Sequence, residues 1–405
     1  MLRMTSSPLI QAPALVAVLG RISVQRMSAT VQELAHDRYA GRRVGTAGGR
    51  SAAAWLAEQL RALGAEVESE SFTVTSVREL YGTPVLEWTA DGRTRRLEHR
   101  REFVEHLASA ELPHAHAAPV VAPTDTADVH GRWVLGDAAD WARAEEGGAA
   151  GVLTARGTDA DGWMPKMIAG PGVRTVPVIA LRPDLHRELG EAVTRTAVQV
   201  TASMPLRSVS VDGLNVYAHL NRSHGAPRVL LTAHHDGVGD DPQRRLPAAA
   251  DNASGVAAIL EAARVLSAQA LPINLSVAFL DAEEAGALGS AHHVRAVPPD
   301  TLVINLDGAA KLHEAASVEA GGPAHGLLAA LDQAGRETGV PLRAGAMASD
   351  NRRYAAAGLA AIGIGMGMPG YQTPAETPDR VEAGTLLAAA RLVTATVWRL
   401  AHADS

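Results

Sequence analysis

Cysteine is absent from this chain of 405 residues, and lysine and aromatic residues are scarce. Without cysteine there can be no disulfide, thiolate nucleophile or cysteine-ligated zinc site, so histidine and carboxylate groups remain as metal ligands. Lysine occurs only at Lys166 and Lys311, and neither follows a glycine-rich phosphate loop, which argues against nucleotide hydrolysis. Aromatic residues make up 3% of the chain, so alanine, valine, leucine and isoleucine must build the core.

Charge and apolar runs argue against two further classes of protein. A nucleic-acid binder normally concentrates basic residues on one face, and a formal net charge of −7 argues against such a partner. No apolar run reaches the roughly 20 residues that cross a bilayer, so we expect no membrane-spanning segment. The weakly apolar run 8–20 is interrupted by Gln11 and Pro13 and precedes no convincing signal-cleavage site. The expected compartment is therefore the cytoplasm, with secretion as the alternative, and the oligomeric state is left open.

The spacing of apolar residues predicts an α/β fold. Residues 30–33 read as a capping box before a short helix, 47–63 have helical spacing, and 66–77 alternate like a half-buried strand. Further along, strands are predicted at 214–220, 229–233, 273–280 and 301–306, and helices at 252–268 and about 379–401. Such alternation predicts a mixed, largely parallel sheet sandwiched by helices.

Residues 82–206 differ in character from the rest of the chain. Short β-like runs are separated there by turns rich in glycine and proline. We therefore expect a small β-rich domain over 82–206, inserted into a catalytic domain formed by 1–81 and 207–405. Catalytic side chains should lie on loops at strand ends, where open α/β sheets bind ligands.

Two histidines and an aspartate, at 234–236, follow the predicted strand 229–233, and Asp251 lies further along the chain. Residues two apart on a strand share a face, so Asp236 can accept a hydrogen bond from His234 and orient its ring. Asp251 lies where a helix is predicted to begin, and it can either cap that helix or bridge two metal ions about 3.5–4 Å apart. His235 should point away from its neighbour. Taken alone, each of these motifs also fits a solvated loop or a helix cap.

Two further acidic sites follow later strands. Glu283 and Glu284 point in different directions, so one can bind a metal while the other acts as general base toward a water molecule. Asp307 ends the run 301–306, where a lone acid is ordinarily a turn residue. Four such strand-end sites in chain order indicate a hydrolytic metal centre more strongly than any one of them.

Together these motifs resemble the zinc aminopeptidases of family M28, in the bacterial branch that carries an inserted protease-associated domain. The matching segments are His-x-Asp at 234–236, Asp-Asn-x-Ser-Gly at 251–255, Glu-Glu-x-Gly-x-x-Gly-Ser at 283–290 and Asn-x-Asp at 305–307. Residues 39–42 also resemble the family's N-terminal helix region, and 82–206 would be the protease-associated insert. The resemblance covers most of the chain and implies a peptide or small modified peptide as substrate.

The resemblance also implies roles for individual residues around Zn²⁺. His234 and Asp307 would bind one zinc ion, and Asp251 would bridge it to a second. Glu284 would bind that second ion, and Glu283 would be the general base.

One position departs from the family pattern. Gln372 stands where the family places its last histidine ligand. An amide oxygen is a poorer zinc ligand than imidazole, so a site made of Asp251, Glu284 and Gln372 should be weak. We expect one firmly bound zinc ion and a second that is weakly bound or absent.

Neighbouring positions differ from the family as well. Glu376 replaces an aspartate, and Asn351 replaces a histidine. Tyr371 keeps the position from which a phenol can donate a hydrogen bond to a developing oxyanion.

These residues are compatible with three functions. The first is metal-dependent hydrolysis of N-terminal peptide bonds by a metal-activated water, with Glu283 as the base. The second is a mononuclear zinc hydrolase or an amide-forming enzyme of specialised metabolism. Glutaminyl cyclases related to the family use one zinc at the positions matching Asp251, Glu284 and the missing histidine, so a single-metal enzyme here should instead use His234, Asp251 and Asp307. The third is a non-catalytic peptide-binding scaffold.

Overall fold

The computed structural model describes residues 13–122 and 128–403, so the predicted run 8–20 lies partly outside the described residues. The chain divides into two units. Unit 1 takes in Met1–Val74, Asp212–Gly239 and Leu246–Ser405, and unit 2 takes in Thr75–Val211 and Asp240–Arg245. The sequence predicts borders of the inserted domain at residues 82 and 206, and the main segment of unit 2 runs from Thr75 to Val211. The assignment of the insert as a protease-associated domain stays a prediction. None of the helices in the two described ranges combines the length and apolarity that a bilayer-spanning helix requires.

Helices and strands alternate along much of the chain. The α-helices are α1 (Pro13–Leu19), α2 (Val24–Leu34), α3 (Ala47–Ala62), α4 (Trp141–Glu146), α5 (Pro183–Arg195), α6 (Ser254–Ser267), α7 (Leu288–His293), α8 (His325–Thr338), α9 (Asn351–Ala356) and α10 (Ala383–Ala401). The first eight strands are β1 (Glu66–Leu80), β2 (Val85–Ala90), β3 (Arg93–Arg96), β4 (Phe103–Glu105), β5 (Leu112–Val121), β6 (Trp133–Leu135), β7 (Gly151–Ala155) and β8 (Val178–Leu181). The others are β9 (Val198–Met204), β10 (Leu206–Asn221), β11 (Arg228–His234), β12 (Asn274–Leu280), β13 (Thr301–Leu306), β14 (Ala316–Gly321), β15 (Leu342–Ala344) and β16 (Ala360–Gly365).

The sheet of unit 1 has the strand order β1-β10-β12-β11-β13-β16-β14-β15. Its four central strands, β12, β11, β13 and β16, are parallel, whereas β10 and β14 pair antiparallel with their inner neighbours. His234 pairs with Leu280 and Thr232 with Asn305, so the carboxyl ends of β12, β11 and β13 reach the same edge of the sheet. The mixed α/β class predicted from the sequence is confirmed.

Helices cover both faces of this sheet and bury its apolar side chains. On one face, Leu56 of α3, Ile259 of α6, Leu331 of α8 and Leu392 of α10 belong to one core cluster with the strand residue Phe279. A smaller cluster on the sheet includes Tyr354 of α9, Leu230 of β11 and Val303 of β13. The core is largely aliphatic, as the scarcity of aromatic residues predicts.

The predicted helix start at residues 30–33 is wrong. α2 already begins at Val24, and the side chain of Ser23 accepts a hydrogen bond from the backbone N–H of Arg26. Residues 30–33 therefore lie in the last part of that helix. Serine is as good an N-cap as threonine, and the apolar spacing of α2 extends back toward it.

Two other helix starts were also predicted too early. α6 begins at Ser254 because Ala249–Ala253 forms a separate turn with non-helical backbone angles at Asp251 and Asn252. α10 begins at Ala383, after a short 3-10 turn at Pro378–Arg380.

Unit 2 has its own sheet, in the order β3-β2-β9-β5-β6-β7-β8-β4, and its own core around Trp133. It also contains a buried ionic cluster. Nε of Arg100 is 2.7 Å from Oδ2 of Asp241, and its Nη2 is 2.6 Å from Oε1 of Glu105. Nζ of Lys166 is 3.2 Å from Oδ1 of Asp241. Because a buried charge is costly without partners, this cluster holds the segment Asp240–Arg245 in unit 2.

Gly48 tests the packing that positions the 3-10 helix Asp37–Arg42. A Cβ atom on Gly48, in the first turn of α3, would overlap the carbonyl oxygen of Tyr39. We expect Gly48→Ala to lower the free energy of unfolding by roughly 1–3 kcal/mol, because backbone must move. In the control Gly326→Ala, the new methyl group meets no atom within 4 Å, and stability should stay equal or rise by up to about 1 kcal/mol. Urea unfolding measures both, and equal stability of Gly48→Ala and wild type would contradict this packing.

Candidate metal centre

Three buried side chains with metal-binding atoms meet at the carboxyl edge of the unit 1 sheet. They are His234, Asp251 and Asp307, and one ligand atom from each lies within 4.8 Å of the others. Nε2 of His234 is 3.0 Å from Oδ1 of Asp251 and 3.3 Å from Oδ1 of Asp307. One imidazole nitrogen and two carboxylate oxygens are a donor set that suits zinc.

Asn252 joins the two segments that carry the aspartates. Its Nδ2 donates a hydrogen bond to the carbonyl oxygen of Leu306 at 2.9 Å, and its Oδ1 accepts one from the backbone N–H of Gly308 at 3.0 Å. These two residues flank Asp307, and Asn252 follows Asp251 directly. A single amide side chain therefore fixes one aspartate relative to the other.

Asp236 lies between His234 and the acidic pair. Nδ1 of His234 is 3.3 Å from Oδ1 of Asp236 and 3.2 Å from its carbonyl oxygen, so the ring is oriented with Nε2 toward the aspartates. The Asp236 carboxylate also accepts hydrogen bonds from the backbone N–H groups of Glu283 at 3.1 Å and Glu284 at 3.2 Å. The sequence gives no signal for the bonds to the backbone of Glu283 and Glu284, because they join segments that follow different strands.

Gln372 lies beside Glu284, where the family resemblance places it. Nε2 of the glutamine donates a hydrogen bond to Oε2 of Glu284. Oε1 of Gln372 and Oε1 of Glu284 are buried and have no hydrogen-bond partner among the described residues. Tyr371, which precedes Gln372 in the chain, is 44% exposed. The atom of Gln372 that contacts Glu284 is its amide nitrogen, which is a hydrogen-bond donor and does not bind a metal ion.

Glu376 is a buried residue that sequence reasoning identified only as a replacement. Its Oε1 accepts a hydrogen bond from the backbone N–H of Asp251 at 2.6 Å, and its Oε2 accepts one from that of Gln372 at 2.7 Å. It therefore holds the aspartate and the glutamine together. Asn351, the other replacement, is also buried, and its Oδ1 has no partner among the described residues.

His235 lies outside the cluster. Its Nε2 is 3.1 Å from the carbonyl oxygen of Leu214, and burial lowers the pKa of the ring to about 4. The neutral ring is engaged with β10 and does not supply the histidine ligand that the family resemblance implies at position 372.

Carboxyl groups are concentrated in this buried site. Burial raises the pKa values of Asp251, Glu284 and Glu376 above their ordinary values, and neighbouring carboxylates raise them further. Burial acts to lower the pKa of His234, but the carboxylate of Asp307 and its neighbours outweigh it and raise that pKa well above the usual value. A bound divalent cation would offset this mutual repulsion.

The fold is that of the zinc aminopeptidases among the solved structures. The chain is similar to BSAP, a zinc aminopeptidase from Bacillus subtilis, with a TM-score of 0.71 and 22% identity, over 93% of this chain and 95% of that one. A Peptidase M28 precursor from Shewanella amazonensis aligns with a TM-score of 0.73 and 18% identity, over 96% of each chain.

Residues 215–397 match the model of Peptidase family M28. The chain is also 28% identical over 318 residues to a protein of Mycobacterium tuberculosis named Probable lipoprotein aminopeptidase LpqL. That match takes in 73% of this chain and 61% of the relative, so the chain spans about three fifths of the relative's length.

Asp236→Asn tests how the acidic pair is held. An amide has a single acceptor oxygen, so one backbone N–H group of the pair loses its partner, at a cost of about 1–3 kcal/mol. We expect zinc affinity, measured by competition with a chromogenic chelator, to fall at least about tenfold. The control is Asp281→Asn, because Asp281 also accepts two backbone N–H bonds, from Leu214 and Ala282, each at 2.8 Å. An equal loss of affinity in both variants would contradict a specific function of Asp236.

Proposed function

We propose that this protein is a metal-dependent aminopeptidase that hydrolyses the N-terminal peptide bond of a peptide or small modified peptide. The observation that carries the proposal is the convergence of His234, Asp251 and Asp307 beside the acidic pair, within the segment 215–397 that matches the model of Peptidase family M28. The names of the relatives support it, since the Bacillus protein is called a zinc aminopeptidase and the mycobacterial one a probable aminopeptidase. The word lipoprotein in the latter name favours secretion over the cytoplasm.

The three converging side chains would hold the zinc ion. They fit it because their donor atoms are close together, are buried, and combine one imidazole with two carboxylates. When bound, zinc supplies Lewis-acid polarisation of the substrate carbonyl group and of a water molecule.

Glu283 is the general base in this proposal. It is half-buried, its backbone N–H is held by Asp236, and no described residue donates a hydrogen bond to its carboxylate. Burial raises its pKa well above the ordinary value, which makes the carboxylate a stronger base. It takes a proton from the attacking water and passes it to the leaving amine, while Tyr371 donates a hydrogen bond to the developing oxyanion.

The second metal position is weak in this proposal. The hydrogen bond from Gln372 engages one oxygen of Glu284 with a donor group, and a donor group repels a cation. This contact favours a second candidate function, a mononuclear zinc hydrolase or an amide-forming enzyme that uses the same three ligands. Zinc stoichiometry and product analysis separate the candidates.

Glu283→Gln tests the general base. Glutamine keeps the size of the side chain but cannot accept the proton, so we expect kcat to fall by about 10²–10⁴-fold with zinc content unchanged. Hydrolysis of a panel of aminoacyl-p-nitroanilides measures this loss. Glu58→Gln, at an exposed position of α3, is the matched control and should keep wild-type turnover. Full activity of Glu283→Gln would exclude this residue as the base.

Gln372→His tests the second metal position. An imidazole in place of the amide restores a ligand beside Asp251 and Glu284, so we expect bound zinc to rise from about one to about two equivalents per chain. Elemental analysis of protein purified without chelator gives the count. Gln32→His, at an exposed position of α2, controls for nonspecific binding by an added histidine. An unchanged count in Gln372→His would show that this residue is not at a metal position.

A further inference from the structure

Arg42 is a fully buried cation whose described contacts include no carboxylate. Its Nε donates a hydrogen bond to the carbonyl oxygen of His235 at 2.8 Å, and its Nη2 donates one to the carbonyl oxygen of Ala248 at 2.6 Å. Its Nη1 donates to the carbonyl oxygens of Leu34 at 2.6 Å and Pro247 at 3.0 Å. Burying a guanidinium group is costly, so four short bonds to backbone indicate a specific purpose at this position.

The accepting carbonyl groups belong to the segments that carry two of the proposed ligands. His235 directly follows the ligand His234, and Ala248 directly precedes the turn that contains Asp251. The bond to Leu34, at the end of α2, fixes the guanidinium relative to the helical layer. One side chain therefore connects both ligand-bearing segments to each other and to a rigid element.

The backbone next to Arg42 is wedged between the same segments. The carbonyl oxygen of Gly41 accepts a hydrogen bond from the N–H of Gly239 at 3.1 Å. A Cβ atom on Gly41 would lie only 2.7 Å from the carbonyl oxygen of Leu246, and Gly41 has a φ of 70°, in the left-handed region. A Cβ atom on Gly237 would lie 2.8 Å from the carbonyl oxygen of Gly41. There is no room here for the segments to drift closer or for another side chain to intrude.

We propose that Arg42 is a positioning residue of the metal centre, whose guanidinium group holds the segments of His234 and Asp251 at the separation at which they share one ion. This inference rests on the proposed zinc site. The planar fork of donors is the active feature, because the positive charge alone would repel a divalent cation. Lysine keeps that charge but offers three donors from a single point, so it cannot reproduce bonds that spread over four carbonyl groups.

The test is the zinc affinity of the full-length protein, measured by chelator competition for wild type, Arg42→Lys and Arg42→Met. We expect both variants to bind zinc about 10–100-fold more weakly, and the rise in unfolding temperature on adding zinc to shrink in parallel. Arg264→Met is the matched control, because it removes a guanidinium group that contacts Glu261 and the carbonyl oxygen of Arg21 in the same unit. That variant should lose stability without losing zinc affinity.

The possible outcomes separate the inference from the proposed function. Wild-type zinc affinity in Arg42→Lys, or tighter zinc binding in Arg42→Met, would show that the positive charge of Arg42, and not its planar set of hydrogen-bond donors, affects zinc binding. Either result would overturn the inference. Failure of the wild type itself to bind zinc would instead remove the proposed metal site.

Gly237→Ala keeps the test decisive if the arginine variants do not fold. Its added methyl group would lie 2.7 Å from the side chain of Ala248 and spread the same junction while Arg42 stays in place. We expect weaker zinc binding by this variant, and unchanged affinity would overturn the inference.

Discussion

Crowding of buried carboxylates at the carboxyl edge of a parallel sheet is the constraint on which the rest of this structure depends. Parallel strands in register bring His234 and Asp307 to the same edge, and the turn before α6 adds Asp251. Burial raises the pKa of Asp251 and Glu284, and repulsion from neighbouring carboxylates raises it further, so these acids ionise readily only when a cation is bound. The geometry that is unfavourable for the carboxylates alone is the geometry that a divalent ion requires.

Residues that would not touch the ion keep this arrangement in place. Asp236 and Glu376 each accept two backbone N–H bonds from segments that carry proposed site residues. Asn252 links the segments of the two aspartates, and Arg42 links those of the histidine and the first aspartate. Acceptors therefore hold N–H groups and donors hold carbonyl groups, so that each loop is fixed through its backbone. Such fixed loops let side chains of like charge remain close together.

Sequence reasoning named candidate site residues but not the contacts that hold them. Strand ends are visible as apolar runs followed by an acid, and this is why Glu283 and Asp307 could be assigned to one edge. The bond between Asp251 and Glu376 joins residues 125 positions apart and leaves no local pattern. The resemblance placed Gln372 near Glu284, but only coordinates show that its amide nitrogen is the atom in contact. The start of α2 was misplaced because Ser23 and Thr30 are both residue types that favour the N-cap position.

A crystal structure of the zinc-loaded protein, with anomalous diffraction data collected at the zinc edge, tests the central claim most directly. We expect an anomalous peak about 2.0–2.2 Å from Nε2 of His234 and from carboxylate oxygens of Asp251 and Asp307, with weak or no density between Glu284 and Gln372. Absence of a peak at the three ligands, with zinc in excess, would contradict the proposed metal centre.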